Sequence, residues 1–280
     1  MICNPQAPLP VDRHLIQNLP CAATFIRGTV GYAYFAQVRP MKPLRFSLFA
    51  FLLFAQPLHA DGAQDFVTAN IISTLYHEFG HALIDLTDAP VLGQEEDAAD
   101  ILSILLLDAF WEEDSAQSIT ALTALSFELA AQESEDPAYW DVHGLDMQRY
   151  YNQVCLFYGA DPDTRATLAE DFELPEARAE TCVEEFDLAA ASWATVLEPL
   201  ETRKPAQSIA FSGETDSEIS ALLADEVAAL NETYKLPRPL AVTLESCGEE
   251  NAFYISETAT ITICTEFVEF LERQAVANDL

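Results

Sequence analysis

The chain has 280 residues, half of them apolar, with 13 Lys plus Arg against 46 Asp plus Glu and a formal charge of −33 at pH 7. That apolar content supports a real core, so the chain is not a disordered polyanion. A surface this acidic repels nucleic acid and anionic membrane, and neither is expected as a partner.

Residues 1–40 show no sustained periodicity. Met41-Lys42-Pro43-Leu44-Arg45 then leads into an apolar run, Phe46 to Phe54, and Leu58-His59-Ala60, which are the three parts of a secretory signal. The run is too short to span a bilayer comfortably. The expectation is a signal peptide over 41–60, preceded by residues 1–40 as either an upstream mis-start or a genuine extension. The protein is then exported, periplasmic or extracellular, with no stable membrane anchor after cleavage. Beyond residue 60 lie Cys155, Cys182, Cys247 and Cys264. An even number in an exported chain implies two disulfides, and their local spacing pairs Cys155 with Cys182 and Cys247 with Cys264.

A helical apolar pattern runs from about Asp65 to Leu86, with Phe66, Ala69, Ile72, Leu75, Phe79, Leu83 and Leu86 at three- and four-residue steps. Inside it stands Tyr76-His77-Glu78-Phe79-Gly80-His81, a His-Glu-x-x-His motif. Histidines four apart share one helix face and can hold one Zn²⁺, while Glu78 can act as general base on a metal-bound water. The bland alternative is a helix whose histidines are ordinary core or surface residues. Asp88-Ala89-Pro90 ends the helix. Gln94-Glu95-Glu96-Asp97-Ala98-Ala99-Asp100 then opens a second helix marked by Ile101, Leu102, Leu105, Leu106 and Phe110, its acidic first turn suiting the dipole. Glu96 and Asp100 face the same way, so Glu96 is the candidate third metal ligand. Asp100 and Glu95 serve as its supports beyond the first shell or as alternative ligands. Read blandly, the same run is a solvated helix start.

Ser115 to Gln132 is a third helix of scaffold character. After the breaker Ser134-Glu135-Asp136-Pro137 come Tyr139-Trp140-Asp141-Val142-His143-Gly144 and a helix from Leu145 to Tyr158. His143 is the one histidine after residue 60 outside the motif. His143, Tyr150 and Tyr151 are candidate donors to a developing oxyanion, and Arg149 pairs either with a buried carboxylate or with substrate. A short helix starts at Asp161-Pro162, and a longer one runs from Leu174-Pro175-Glu176 to Leu197. Residues 201–216 read as a linker. Glu218 to Tyr234 is helical, Leu240 to Leu244 and Ala259 to Cys264 alternate like strands, Ala252 to Ile255 is a third short strand, and Phe267 to Ala275 closes the chain as a helix.

Glu96-x-x-Ala99-Asp100 downstream of His77-Glu78-x-x-His81 resembles the glutamate-zinc (gluzincin-like) arrangement of the membrane-embedded and heat-shock zinc proteases. The resemblance implies that Glu96 is the third ligand. The chain after residue 60 is also similar to an uncharacterised metallopeptidase-like family, a domain of unknown function carrying the same motif. That likeness rests on Tyr76 to Asp85, Leu92 to Asp100, Asp146-x-Gln148-Arg149-Tyr150-Tyr151-Asn152 through Cys155 to Tyr158-Gly159, Leu174-Pro175-Glu176-x-Arg178 with Cys182, and Cys247-Gly248-x-x-Asn251-Ala252-Phe253-Tyr254. In that family the last segment often precedes the zinc helix, whereas here it follows.

The expected fold is α+β and mainly helical. A zinc-helix domain over 61–200 is joined by the linker to a C-terminal α/β unit, 217–280, holding a small antiparallel hairpin or sheet. That unit is expected to fold back beside His77 and His81 with Asn251 and Tyr254 near the cleft, because little else can supply a sheet edge to an extended substrate. The expected function is an exported zinc metallopeptidase acting on a peptide or protein, with His77, His81 and Glu96 as ligands and Glu78, His143 and Tyr150 as catalytic candidates. The alternatives are a non-catalytic binding protein with a structural or vestigial zinc site, and a metal-free, disulfide-stabilised interaction domain.

Overall fold

The computed structural model describes residues 62–133, 137–213 and 217–280. The expectations for residues 1–40 and for a signal peptide over 41–60 lie outside the described residues. In chain order the helices are α1 (Gly62–Thr87), α2 (Glu95–Phe110), α3 (Glu113–Glu133), α4 (Asp146–Ala160), α5 (Ala166–Asp171) and α6 (Glu176–Leu197). A 3₁₀ turn (Glu198–Leu200) leads to β1 (Ile209–Ser212), α7 (Glu218–Thr233), β2 (Leu240–Glu245), β3 (Ala252–Ile255), β4 (Thr260–Cys264) and α8 (Thr265–Ala277). The mainly helical α+β class is borne out.

Helix α1 is the spine. Phe66, Ala69, Ile71, Ile72, Leu75, Tyr76, Phe79, Ala82 and Leu83 are wholly buried, so apolar contact surrounds most of it and its polar side chains gather on one stripe. It ends where Asp88 takes a left-handed φ of 53° and Ala89 N–H reaches back to Ile84 O at 3.0 Å. This left-handed closure satisfies a terminal carbonyl, and Asp tolerates it better than most residues. Gly80 sets the crossing of α1 and α2, since a Cβ there would stand 2.9 Å from Ala99 Cα. The absent side chain lets α2 lie close enough to present Glu96 and Asp100 to the polar stripe.

The sheet order is β1-β2-β4-β3. Strands β1 and β2 are parallel, as are β2 and β4, and only β3 and β4 are antiparallel. The sheet is therefore mixed: the expected antiparallel pairing holds for β3 with β4, and β1 and β2 extend it in parallel. A helix joins β1 to β2, and β3 with its flanking loops joins β2 to β4, so each returning strand runs the same way. The segment 201–216, expected to be a linker, supplies β1, a four-residue strand too short to leave a periodic signature. One apolar cluster joins α1, α2 and α4 to α7, the sheet and α8 through Phe79, Leu102, Phe157, Leu223, Val242, Ile261 and Leu271.

Disulfides join Cys155 to Cys182 and Cys247 to Cys264, as the spacing predicts. The first clamps α4 to α6, and the second ties the loop after β2 to the end of β4. Two disulfides fit an oxidising compartment. Among the described residues no helix is long and apolar enough to cross a membrane.

Candidate metal centre

Helix α1 presents Asn70, Ser73, Thr74, His77, Glu78, His81, Ile84 and Asp85 to a cavity of about 950 Å³, a three- and four-residue spacing that keeps them on one stripe. Its other walls come from α2 (Glu95, Glu96, Asp100, Ser103), α3, α4, the loop bearing His143, and residues 251–254 at the start of β3. Helices and a strand hold most of these groups, and the core behind α1 fixes their positions.

Three ligand-type atoms form a nearly equilateral triangle. His77 Nε2 and His81 Nε2 are 3.2 Å apart, and each lies 3.2 Å from Glu96 Oε2. A tetrahedron with vertices about 2.0–2.1 Å from its centre has edges of about 3.3 Å, so the triangle matches one face of a zinc coordination shell. The second ring nitrogens are already used: His77 Nδ1 is 2.8 Å from Asp100 Oδ1 and His81 Nδ1 is 2.8 Å from Glu95 Oε1. With Nδ1–H donating to a carboxylate, each Nε2 carries a lone pair. Two nitrogen lone pairs and a carboxylate oxygen then face one point, which a proton on one Nε2 or a metal cation can occupy. The donor set fits a zinc ion.

Electrostatics point the same way. Burial pulls the His77 imidazole down, but hydrogen bonds to Asp100 and Glu96 outweigh it and raise it to about 9. His81 is also lowered by burial and raised more by Glu96 and Glu95. Bonds from His143, His77 and His81 hold Glu96 far below the usual carboxylate range. Without metal the site thus collects protons on its imidazoles, the behaviour of a pocket with surplus negative charge.

Asp100 is held by Arg149, whose Nε donates to Oδ2 and whose terminal nitrogen donates to Oδ1, both at 2.7 Å. Burial alone would raise this carboxyl, but Arg149 and His77 bring it far below its usual range. Arg149 also lies 4.4 Å from the centre of the Phe127 ring. It is a support for Asp100, the structural alternative offered by the sequence.

Glu78 is buried, 6 % exposed, and burial raises its carboxyl above the ordinary value despite the nearby His77 and His81. The Tyr254 backbone lies near enough to lower it, by less than the two histidines do. The same residue fastens β3 to α1: its hydroxyl donates to Asp85 Oδ2 at 2.6 Å, which also accepts from Arg238 at 3.1 Å. Tyr254 stands near the cleft as expected, and Asp85 joins it there without having been singled out from the sequence. Its signal is present in retrospect, since Asp85 is four residues beyond His81 on the same face.

His143 Nε2 lies 3.0 Å from Glu96 Oε2, and His77, Glu96 and His143 together offer ligand atoms within 4.8 Å of one another. The His143 ring nitrogen Nδ1 faces Asp141 at 3.2 Å, and the side chain stays 43 % exposed. Tyr150 is elsewhere, which corrects its candidacy as an oxyanion donor. It is 2 % exposed and its hydroxyl donates to the backbone carbonyl of Phe172 at 2.9 Å. Arg149 faces the cavity, and one residue later along α4 the side chain turns about 100° away from it. Tyr151 packs edge-on against Tyr150 and does not line the cavity either.

The chain matches the profile of a family described as "putative metallopeptidase" over residues 53–197 and 212–279. No curated protein and no solved structure matches it. The match takes in both the helix bearing His77, Glu78 and His81 and the strands beside it, well over half the chain, and the protein belongs to that metallopeptidase family.

Proposed function

We propose that this protein is an exported, zinc-dependent peptidase whose metal would be held by His77, His81 and Glu96. The observation that carries the reading is the 3.2 Å triangle of Nε2, Nε2 and Oε2, in which the second nitrogens of the two imidazoles are taken by Asp100 and Glu95. When bound, zinc supplies a Lewis acid that polarises the substrate carbonyl and acidifies a water molecule. The protein's own groups do the rest. Glu78, with its carboxyl raised by burial, takes the proton of the attacking water and returns it to the leaving nitrogen. Asp100 and Glu95 fix the imidazole tautomers, and Arg149 fixes Asp100. His143, half-exposed on the cavity wall, would donate to the developing oxyanion. The outer edge of β3 borders the same cavity and offers main-chain groups to an extended peptide.

Export rests on the two disulfides and on the signal-like sequence at 41–60. The Glu78→Gln protein is expected to keep stoichiometric zinc and lose at least about a thousandfold in kcat, since both proton transfers depend on this carboxylate. Turnover equal to wild type removes Glu78 from the mechanism.

One observation favours a second reading, a closed structural site. His143 Nε2 is near enough to Glu96 Oε2, at 3.0 Å, to serve as a fourth protein ligand, which leaves no position for water. The His143→Ala protein separates the two. Under the peptidase reading zinc affinity holds within a few-fold and kcat falls. Under the structural reading zinc affinity collapses.

A further inference from the structure

Strand β3 lies at the rim of the sheet, and among the described residues it is paired on one side only, by β4. Along an antiparallel ladder, successive residues turn their main-chain groups alternately towards the partner strand and away from it. Cys264 N–H donates to Asn251 O at 3.1 Å, and Asn251 stands opposite Cys264 when the register of Ala252 with Ile263 is continued. Asn251, Phe253 and Ile255 therefore face β4, and Ala252 and Tyr254 turn their N–H and C=O to the outer edge. The Ala252 N–H is already taken by its neighbour's side chain, Asn251 Oδ1, at 2.9 Å. What the edge presents is the Ala252 carbonyl and the main chain of Tyr254, both on the wall of the catalytic cavity.

Tyr254 also carries the tie between this edge and the metal helix. Its backbone lies near Glu78, while its hydroxyl donates to Asp85 Oδ2 at 2.6 Å. Asp85 stands seven residues beyond Glu78 on α1, about 10 Å along the axis at 1.5 Å per residue. The side chain thus runs along the helix and fixes the strand's offset from it. Arg238, from the segment before β2, donates to the same Asp85 oxygen at 3.1 Å and holds the acceptor in place. Burial first, and Asp85 next, push the phenol above its ordinary range, so it keeps its proton and stays a donor. We infer that Tyr254 and Asp85 are the positioning pair of the substrate edge: their hydrogen bond sets where an extended peptide backbone, lying on the outward groups of β3, passes Glu78 and the metal ligands. The inference rests on the peptidase reading, but it is tested by binding and needs no turnover.

The experiment measures binding to the zinc-loaded protein by calorimetry with two kinds of probe. Acetohydroxamate reaches the metal alone. Two blocked tetrapeptides of alanine and leucine, carrying the hydroxamate at one end or the other, extend along either half of the edge. Tyr254→Phe, which removes one hydroxyl, is expected to weaken at least one peptidyl probe by about tenfold, the worth of one or two hydrogen bonds, and to leave acetohydroxamate within about twofold. Asp85→Asn keeps an oxygen for the hydroxyl and is expected to retain the peptidyl affinity, whereas Asp85→Leu should behave like Tyr254→Phe. The ratio of the two affinities is the readout, because a general loss of stability weakens both probes alike. Parallel weakening of both kinds of probe, or peptidyl binding untouched by Tyr254→Phe, overturns the inference and leaves the peptidase reading standing. A wild-type protein that binds neither kind of probe removes the peptidase reading and the inference with it, so the two failures are distinct.

Discussion

At the residue scale the account turns on how carboxylates are shared among imidazoles. Asp100 serves His77, and Arg149 keeps Asp100 ionised and aimed. Asp100→Asn is expected to lower zinc affinity by about 10–100-fold, the usual cost of losing a group that orients a ligating histidine, as read by competition with a chromophoric chelator. Arg149→Met should do more damage to the fold, because it leaves Asp100 as a buried charge without its partner. That cost is about 3–5 kcal/mol in fully buried pairs, less here since both side chains keep some exposure. The metal must also displace protons. His77 in the metal-free site titrates near 9, so at pH 7 it is protonated and must lose that proton before Nε2 can bind. Zinc affinity is therefore expected to climb from pH 6 towards pH 9, with proton release visible as a buffer-dependent binding enthalpy in calorimetry. The sign for the metal-free fold is the reverse: a raised imidazole contributes stability below its unfolded value of about 6.5, and this is lost as pH rises through about 9. These residues differ in how far the sequence revealed them. His77, Glu78 and His81 stand out because a fixed local spacing carries their chemistry. His143 could be singled out only by rarity, and Tyr150 was misplaced because neighbouring positions on a helix differ by a rotation that composition does not reveal.

At the element scale two contacts hold the site together. The first is the close crossing of α1 and α2 at Gly80 and Ala99. Replacing Gly80 by Ala would bring about 1 kcal/mol of helix propensity. The Cβ, however, would meet backbone that has no flexible end to yield, and overpacking of this kind costs about 1–3 kcal/mol. The clash is expected to win, lowering the melting temperature and weakening zinc binding together, because the displaced helix carries Glu96. The second contact is β3 against α1 through Tyr254, whose hydroxyl donates to Asp85. The helices and three of the strands were legible from periodicity. Strand β1 and the parallel pairing were not, since Ile209-Ala210-Phe211-Ser212 is too short to show alternation and pairing direction depends on connections that no local pattern encodes.

For the whole molecule, the central fact is that the metal helix belongs to both halves of the chain. Helix α1 packs on α2 and α3 on one side and on α8, β3 and β4 on the other, inside one continuous core. A chain ending near Glu214 loses β2, β3, β4, α7 and α8, and it exposes the apolar flank of α1. It is expected to show no cooperative thermal transition by circular dichroism; a folded, zinc-binding fragment of that length would refute the shared core. Reduction of Cys155–Cys182 and Cys247–Cys264 should lower stability by about 2–5 kcal/mol per bridge. The disulfide pairing and the fold class could be read from the sequence because each follows from spacing and period. The meeting of β3 with α1 could be anticipated only by elimination, since it joins residues about 170 apart, Asp85 and Tyr254 being separated by 169.

The most direct test is zinc K-edge X-ray absorption, with elemental analysis, on the purified protein carrying a single equivalent of metal. The expected result is one zinc per chain in a first shell of two imidazoles and one carboxylate, with one position not supplied by the protein. A chain that takes up no zinc at neutral pH, or a shell closed by four protein ligands, would contradict the central claim.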